Sequence, residues 1–400
     1  MCYYSSMKVI TDEKKIDELL TRGVERVYPE KSALQRVLMS GKKIKLYFGV
    51  DPTGGTLHLG HLVQFLKLKK FQDLGHEVVI LIGDFTAQIG DPSDKQTTRK
   101  PLTHKQVLEN ARGYKEQISK ILDLKKLDIN FVHNAKWTNK LTPQDMLELA
   151  SHFTVSNLLT RSMFQERLKA GREVYVHEFL YPIFQAYDAV TMNVDLQIGG
   201  NDQMFNMLAG RDLMKKKKHK EMFVLTTKLL VDPTGKKMGK SEGNMIALND
   251  SANDMFGKVM SWPDSMIASG VEICTDLDFS VLVTDKPRDQ KIKLAHEIVR
   301  ICQGESAAKK AEENFTNTFQ KKETPENIEE IRSKSGELLS EVLVRNKILP
   351  SKSGWRRLVL NNAIHDLIKH ENITDVNLKI EEDLILKIGK KKFVKIKCPG

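Results

Sequence analysis

Apolar and polar residues alternate in blocks along the first third of the chain. Apolar runs at residues 44–50, 77–82 and 127–132 have the length of buried strands. Between them, residues 62–74 and 103–122 carry apolar side chains at helical spacing. Because strands separated by helices favour parallel pairing with right-handed crossovers, this pattern predicts a doubly wound, parallel α/β sheet.

The remaining blocks predict how the chain is divided. Helical patterns near residues 14–20 and 31–39 predict a helical extension. Alternating apolar and cationic residues at 385–396 predict a pair of strands with one basic face. The predicted divisions are a helical extension (1–40), the α/β domain (41–245), an α-helical domain (246–325), a polar linker (326–340) and a small α+β domain (341–400).

Composition limits the class of protein. At 400 residues with 40% hydrophobic side chains, the chain is long enough for two or three domains. No apolar stretch reaches the roughly 18 residues of a bilayer span, and no apolar signal core begins the sequence, so we expect a cytoplasmic protein without a membrane partner. The four cysteines form no Cys-x-x-Cys pair, and neither a zinc site nor a disulfide framework is predicted.

The positive charge is unevenly distributed. The formal net charge is +11, and residues 345–400 contain thirteen Lys/Arg against six Asp/Glu. A separate module that binds a polyanion is the natural inference, since phosphate contacts supply much of nucleic-acid affinity. The lysine run at 215–220 leaves two interpretations open, a solvated helix end, which we favour, and an RNA contact.

The segment 51–61 combines a Pro/Gly turn with two histidines, between an apolar run and a helical one. A helix N-terminus presents unpaired N–H groups and a partial positive charge, which together favour phosphate. His58 and His61 are three residues apart, so both can face that phosphate. The pair alone is weak support, because two helix-capping histidines would produce the same pattern.

A second basic segment lies far downstream, at residues 236–241. It is not a P-loop, because that motif needs four residues between its glycines and only three separate Gly235 from Gly239. A lysine loop that closes over a nucleotide triphosphate remains, since lysine provides compact positive charges for a transferring phosphoryl group.

The two segments together resemble the signatures of the class I aminoacyl-tRNA synthetases, and most closely those of the bacterial tyrosyl enzymes. The signatures read His58-Leu59-Gly60-His61 and Lys237-Met238-Gly239-Lys240-Ser241. Five further motifs occur in the same order, at residues 49–53, 82–86, 89–93, 185–188 and 197–203. The resemblance implies ATP-dependent ligation of tyrosine to its tRNA through tyrosyl adenylate, with Mg²⁺ bound through the ATP phosphates and no metal site on the protein.

The resemblance also assigns the predicted divisions. The α/β domain becomes a Rossmann-like catalytic domain, and the helical stretch 143–188 contains a connective insertion of the kind that commonly forms a homodimer interface. Residues 246–325 become an anticodon-side domain. Residues 341–400 resemble the RNA-binding fold named after ribosomal protein S-four.

Residue roles follow from the resemblance alone. The catalytic, phosphate-facing set is Thr53, His58, His61, Lys237 and Lys240, and the remaining ATP-binding positions are Asp51, Gly60, Lys95, Arg99, Gly200, Asp202 and Ser241. For tyrosine, Tyr47 and Asp188 match the positions that bind the hydroxyl, and Asp91, Tyr181 and Gln185 match those that bind the ammonium group. Gln203 matches the position that holds the reacting carboxylate or the α-phosphate. Asp94 and Gly239 depart from the usual glycine and serine of the family.

The sequence alone leaves other interpretations of these residues open. Tyr47 is by default a packing aromatic of a strand, and Asp91 before Pro92 an ordinary turn residue. At the level of the whole chain, the rivals are a tryptophanyl-tRNA synthetase, a small-molecule nucleotidyltransferase and a catalytically silent RNA-binding protein. Amino-acid-dependent exchange of pyrophosphate into ATP separates these possibilities.

Overall fold

The structure is a computed structural model of the chain. It describes residues 8–93, 102–124, 129–238, 245–319, 328–369, 371–389 and 392–398. The chain divides into two compact units, residues 1–309 and residues 310–400. In the described part of the chain, no helix is both long and apolar enough to span a bilayer.

The elements follow in chain order. The strands are β1 (Val24–Tyr28), β2 (Lys45–Val50), β3 (Glu77–Ile82), β4 (Ile129–His133), β5 (Leu196–Gly200), β6 (Phe223–Thr227), β7 (Glu329–Arg332), β8 (Ile364–Asp366), β9 (Glu371–Asn372), β10 (Leu384–Ile388) and β11 (Lys392–Lys397). The helices of the first half are α1 (Glu13–Thr21), α2 (Lys31–Met39), α3 (Leu59–Asp73), α4 (Thr86–Ile89), α5 (His104–Ala111), α6 (Tyr114–Ser119), α7 (Ala135–Thr138), α8 (Pro143–Ser151), α9 (Val155–Leu158), α10 (Ser162–Lys169) and α11 (Val176–Met192). Those of the second half are α12 (Met204–Lys218), α13 (Ala252–Met260), α14 (Ile267–Cys274), α15 (Phe279–Leu282), α16 (Pro287–Gln303), α17 (Glu305–Phe319), α18 (Leu339–Arg345) and α19 (Lys352–Leu360).

The first unit is built on a six-stranded sheet in the order β1-β6-β5-β2-β3-β4. Strands β2 to β6 pair in parallel, as the alternation of apolar runs and helices predicts. Strand β3 is buried along nearly its whole length, which explains its continuous apolar sequence. The predicted parallel, doubly wound core of the sheet is therefore confirmed.

The edge strand β1 makes the sheet mixed, which the sequence analysis missed. It pairs antiparallel with β6, inside the stretch predicted as a purely helical extension. The two predicted helices of that stretch are present as α1 and α2. A five-residue strand whose partner lies about two hundred residues away carries no local signal, because only the tertiary fold brings the two together.

The strand order determines where a ligand can bind. Strands β3 and β4 follow β2 on one side of it in the sheet, and β5 and β6 lie on its other side. The order therefore reverses between β2 and β5, and the helices on either side leave a crevice beyond the carboxyl ends of these strands. Val50 and Gly200 end the two strands at this crevice.

A buried ion pair anchors helix α11, which borders the crevice. Nη1 and Nη2 of Arg167 donate to the Glu178 carboxylate, at 2.7 Å and 2.9 Å. The side chains of the pair are only 2% and 4% exposed. Glu178 also accepts the backbone N–H of Tyr175, so it closes the first turn of α11. The pair therefore fixes the start of the helix that carries Tyr181, Gln185 and Asp188.

Helices α13 to α16 fall within the first unit, whose boundary lies at residue 309. They occupy most of the stretch predicted as a separate helical domain. Arg22 ties the N-terminal segment to them, because its guanidinium donates to the carbonyl oxygens of Val271, Glu272, Thr275 and Leu277 near the end of α14. Cations at a helix C-terminus satisfy carbonyls that lack intrahelical partners.

The second unit is a small α+β fold with the sheet order β7-β11-β10-β8-β9. Trp355 lies in its core, 1% exposed, and donates its indole N–H to the carbonyl of Val376 at 2.8 Å. The predicted strand pair is present as β10 and β11, with Lys387 and Lys395 on the face away from the buried residues. Lys395 meets Glu330 at 3.2 Å, so the basic face is partly neutralised.

The predicted linker at 326–340 is wrong over part of its length. Residues 329–332 form β7, which pairs in parallel with β11, and residues 339–345 form α18. The polar composition of this stretch hid the strand, since a short edge strand buries only one residue, Ile331. The small fold therefore begins before residue 341.

The ion pair of Arg167 and Glu178 yields a stability prediction. Glu178→Ala should lower the free energy of unfolding by about 3–5 kcal/mol, because it leaves a buried guanidinium without its counter-charge. Lys31→Ala is the control, since the pair of Lys31 and Asp17 is exposed and its loss should cost less than about 1 kcal/mol. Urea unfolding followed by circular dichroism measures both, and equal losses would contradict the anchoring role.

Candidate active site

A cavity of about 770 Å³ occupies the crevice beyond β2 and β5. Of the eighteen residues predicted for the site, fourteen line it: Tyr47, Asp51, Thr53, His58, Gly60, His61, Asp91, Tyr181, Gln185, Asp188, Gly200, Asp202, Gln203 and Lys237. The other four, Lys95, Arg99, Lys240 and Ser241, lie outside the described residues. Two segments that are far apart in the chain thus meet at a single cavity.

The two histidines hold each other at the start of α3. His58 precedes the helix, and its Nδ1 accepts the backbone N–H of Gly60 at 3.1 Å. The Nδ1 of His61 accepts the backbone N–H of His58 at 3.2 Å, so the side chains and the helix start form a reciprocal cap. A side chain on Gly60 would come within 2.9 Å of the His58 ring, and glycine is therefore required by this close approach.

Both imidazoles are neutral at physiological pH. Burial, together with the charge of Lys237, lowers the pKa of His58 to about 4. Burial and the neighbouring His58 and Lys237 also hold the pKa of His61 well below its usual value. Because each Nδ1 accepts a backbone N–H, the proton of each neutral ring lies on Nε2. The pair therefore offers two N–H donors to an anion without adding positive charge.

Lys237 brings the second signature to the same place. Its ammonium group forms an ion pair with Asp202, a carboxylate whose side chain is 7% exposed. The backbone of the next residue, Met238, also lies near the first signature. Its carbonyl oxygen would be 3.8 Å from a Cβ placed on Gly60. A Cβ on Gly200 would lie 2.4 Å from Asp202, so glycine leaves room for that carboxylate.

The opposite end of the cavity holds a buried polar pair. Tyr47 on β2 is fully buried, and its hydroxyl has no hydrogen-bond partner among the described residues. Asp188 on α11 is 2% exposed and accepts from Trp137 Nε1 at 2.7 Å and from Asn134 Nδ2 at 3.1 Å. Burial raises the pKa of Asp188 to about 8, although these two donors oppose the shift. An unpaired buried hydroxyl is costly, which suggests that a ligand completes it.

Asp51 lies in the wall of the cavity and accepts hydrogen bonds from two side chains. Its carboxylate accepts from the Tyr181 hydroxyl at 2.9 Å and from the Thr86 hydroxyl at 2.7 Å. Gly83 lies so close that a Cβ there would stand 1.9 Å from Asp51 Oδ1. The backbone N–H of Thr53 donates to the Asp51 carbonyl at 2.7 Å, and Thr53 also lines the cavity. Tyr181, which is predicted to bind the ammonium group, therefore donates a hydrogen bond to Asp51, which is predicted to bind ATP.

Asp91 and Gln203 form a further pair in the wall. Gln203 Nε2 donates to Asp91 Oδ2 at 2.6 Å, and Gln203 Oε1 accepts from Asn206 at 3.1 Å. Gln185, on the face of α11 that carries Tyr181 and Asp188, also lines the cavity. The residues predicted to hold the amino acid are therefore adjacent, because a helix returns to the same face every three to four residues.

Several residues of the site escaped the sequence analysis. Thr86 and Ser93 lie within the quoted motifs but were assigned no role. Asn134 and Trp137 follow β4 and belong to no motif, although polar residues after a parallel strand were a signal that could have found Asn134. Arg161, 7% exposed, reaches Ser93 from the start of α10 and gave no signal at all.

Comparison with known proteins agrees with this geometry. Residues 39–320 match the family described as tRNA synthetases class I (W and Y). A tyrosine–tRNA ligase of Thermotoga maritima is 41% identical over 399 residues, covering 97% of this chain and 98% of that protein. The chain belongs to this class I synthetase family.

A second relative matches the synthetase over a similar length. The tyrosine–tRNA ligase of Carboxydothermus hydrogenoformans is 40% identical over 410 residues, covering 97% of this chain and 98% of the relative. The identity extends across both units, including the stretch beyond residue 320 that the family match does not reach.

Solved structures share the fold of the synthetase. A C-terminally truncated mitochondrial tyrosyl-tRNA synthetase of Aspergillus nidulans has a TM-score of 0.63 at 21% identity, covering 76% of this chain and 94% of that one. The tyrosyl-tRNA synthetase of Archaeoglobus fulgidus complexed with L-tyrosine has a TM-score of 0.59 at 22% identity, covering 75% of this chain and all of that chain. At these identities the likeness shows the class I fold alone.

The raised pKa of Asp188 predicts a pH dependence of stability. Between the pKa of about 4 of an unfolded aspartate and the folded value of about 8, the folded state keeps a proton that the unfolded state has lost. Rising pH therefore lowers the free energy of unfolding in this window, by up to about 1.4 kcal/mol per pH unit. Asp188→Asn removes the titration and should gain stability relative to the parent protein as pH rises from 5 to 8.

Urea unfolding at several pH values tests this expectation. Asp17→Asn serves as the control, since it makes the same replacement at an exposed carboxylate. A difference between Asp188→Asn and the parent that stays constant with pH would show that Asp188 is ionised throughout the window.

Proposed function

We propose that this synthetase is a tyrosine–tRNA ligase. It activates L-tyrosine with ATP to give tyrosyl adenylate and pyrophosphate, and then transfers tyrosine to the 3′ end of tRNA(Tyr). Two relatives with this name match nearly the full chain at 40–41% identity. We further propose that it acts in the cytoplasm.

The observation that carries the proposal is the polarity of the cavity at its two ends. One end has the Nε2–H donors of His58 and His61 beside Lys237, which suit phosphate. The other end has the Tyr47 hydroxyl, which no group in the described part of the chain bonds, and the buried Asp188 carboxyl, and both suit a phenol. A site of this kind disfavours phenylalanine, because the buried Tyr47 hydroxyl would gain no hydrogen-bond partner from it.

The proposed chemistry needs no protein nucleophile. The tyrosine carboxylate attacks the α-phosphate of ATP, and pyrophosphate leaves. Gln203 holds the reacting carboxylate, and the ammonium group lies against Asp91, Tyr181 and Gln185. The enzyme accelerates the step by alignment and by donors aimed at developing charge.

Lys237 has a double role in this proposal. Without ATP it pairs with Asp202, and on ATP binding it exchanges that carboxylate for a phosphate oxygen. Asp202, together with Gly200, is then available to the ribose hydroxyls. His58 and His61 donate to the phosphates as neutral rings, because burial lowers the pKa of both. Lys240, Lys95 and Arg99 complete the proposed set of phosphate contacts.

Mg²⁺ is proposed to enter with ATP and to be held by the phosphates. Each carboxylate of the cavity wall already accepts hydrogen bonds or an ion pair: Asp51 from Tyr181 and Thr86, Asp91 from Gln203, Asp188 from Asn134 and Trp137, and Asp202 from Lys237. Mg²⁺ commonly keeps several waters and binds mainly through substrate phosphates, which fits such a wall. The ion would neutralise charge on the departing pyrophosphate.

We propose that tRNA binding uses the second unit and that the protein is a homodimer. The excess of cations in residues 345–400 supports the first idea. Leu147, Val155 and Val176 are 73%, 68% and 77% exposed within the predicted connective insertion, which supports the second. The lysine run at 215–220 is proposed to be a solvated helix end, because Lys215, Lys217 and Lys220 meet Glu221, Glu148 and Asp195.

Tryptophan is the second candidate substrate, because the family includes synthetases for both tryptophan and tyrosine. An indole offers one N–H donor and no acceptor, so it would satisfy Asp188 but not a Tyr47 hydroxyl that needs an acceptor. The polar pair therefore favours tyrosine.

Pyrophosphate exchange into ATP tests the proposed activity. Exchange should depend on L-tyrosine and fail with L-tryptophan and L-phenylalanine. His61→Ala should slow exchange at least about 100-fold by removing a transition-state donor. Its circular dichroism should match that of the parent protein.

His104→Ala is the matched control, because His104 is exposed at the start of α5 and does not line the cavity. Exchange supported by tryptophan instead of tyrosine would overturn the assigned substrate. Unchanged exchange in His61→Ala would remove that histidine from the mechanism.

Truncation after residue 319 tests the role of the second unit in tRNA binding. This cut removes β7 together with its partner strand β11, so no half-sheet remains. Exchange should stay within about threefold of the parent, whereas tRNA charging at physiological salt should fall at least about tenfold because many phosphate contacts are lost. A parallel loss of both activities would argue that the second unit supports the catalytic unit.

A further inference from the structure

Arg161 is a buried cation behind the wall of the cavity. Its side chain is 4% exposed, and it does not line the cavity itself. Its Nη2 donates to the Ser93 hydroxyl at 2.6 Å and lies 3.9 Å from Asp91 Oδ1. Ser93 and Asp91 do line the cavity, so Arg161 touches the site through these two residues.

Two aromatic rings hold the guanidinium in place. The guanidinium carbon lies 5.5 Å from the ring centre of Phe164 on α10 and 5.0 Å from that of Phe205 on α12. Phe205 follows Gln203 by two residues, so the same stack borders the segment that carries the proposed carboxylate ligand. A planar guanidinium suits this arrangement because it stacks on rings while its N–H groups donate in its own plane.

The contacts of Asp91 show how Arg161 can influence the orientation of its carboxylate. Asp91 Oδ1 accepts the backbone N–H of Ser93 at 2.9 Å, and Oδ2 accepts Gln203 Nε2 at 2.6 Å. These two bonds fix the plane of the carboxylate. Arg161 attracts the same Oδ1 and fixes the hydroxyl of Ser93, so it supports one end of that arrangement. Because both side chains are largely buried, water screens the attraction between them only weakly.

We propose that Arg161 is a positioning residue that orients Asp91 for recognition of the ammonium group of the amino acid. The inference rests on the proposed function, since it assumes that Asp91 meets this ammonium group. Without the guanidinium, the Ser93 hydroxyl loses its donor and Asp91 Oδ1 loses a nearby positive charge, so the two hydrogen bonds of the carboxylate hold its orientation less firmly. The protein then loses affinity for ligands with an ammonium group, while ligands without one are unaffected.

Calorimetric binding of three related ligands provides the test. L-tyrosine carries both charged groups, tyramine lacks the carboxylate, and 3-(4-hydroxyphenyl)propanoate lacks the ammonium group. Arg161→Met should weaken L-tyrosine and tyramine by about tenfold or more, the size of a lost charged hydrogen bond. Affinity for 3-(4-hydroxyphenyl)propanoate should change by less than about twofold.

Arg211→Met is the matched control. It removes an arginine of α12 whose partner, Glu221, does not line the cavity. Its affinities for the three ligands should stay within about twofold of the parent values. Arg161→Lys keeps the charge but loses the planar stack, and it should show the ligand pattern of Arg161→Met to a smaller degree. Arg161→Lys also carries the test if Arg161→Met does not fold.

Two outcomes overturn the inference. Equal weakening of all three ligands would show that Arg161 only maintains the fold, and unchanged binding of all three would show that Asp91 needs no support. Failure of the proposed function would look different, because the parent protein itself would then not bind L-tyrosine. Binding by the parent therefore separates the two.

Discussion

The reversal of strand order between β2 and β5 is the constraint on which the site depends. Parallel strands end at the same edge of a sheet, and the helices that follow them diverge where the order reverses. The turn after β2 leads into the histidine pair, and β5 ends at Gly200 beside Asp202. Helix α11 then closes the crevice with Tyr181, Gln185 and Asp188 on one face.

Burial gives these groups their chemical character. The histidines remain neutral donors because the cavity wall and Lys237 disfavour an imidazolium, and each backbone N–H bond selects the same tautomer. Asp188 is held almost dry between Asn134 and Trp137, while the Tyr47 hydroxyl is left without a partner among the described residues. Such an arrangement is unfavourable in the free protein and becomes favourable with a phenol in place.

Local patterns predicted the elements whose signal lies within a few residues. Strands β2 and β3, helices α1 and α2 and the pair β10 and β11 were all predicted, because continuous or alternating apolar runs reflect burial directly. Strand β1 and the linker strand β7 were missed, since each is short and depends on a distant partner. Arg161 was missed because its two rings and Ser93 come from three separate segments.

The sequence by itself determined the α/β class, the cationic character of residues 345–400 and, through the order of its motifs, the fourteen described residues that line one cavity. Only the tertiary structure decided that Lys237 pairs with Asp202, that Tyr181 bonds to Asp51 and that Arg161 lies 3.9 Å from Asp91. Residue type and spacing reveal what local backbone geometry requires. Contacts between distant segments, and the pKa shifts that burial causes, depend on packing that no short stretch of sequence contains.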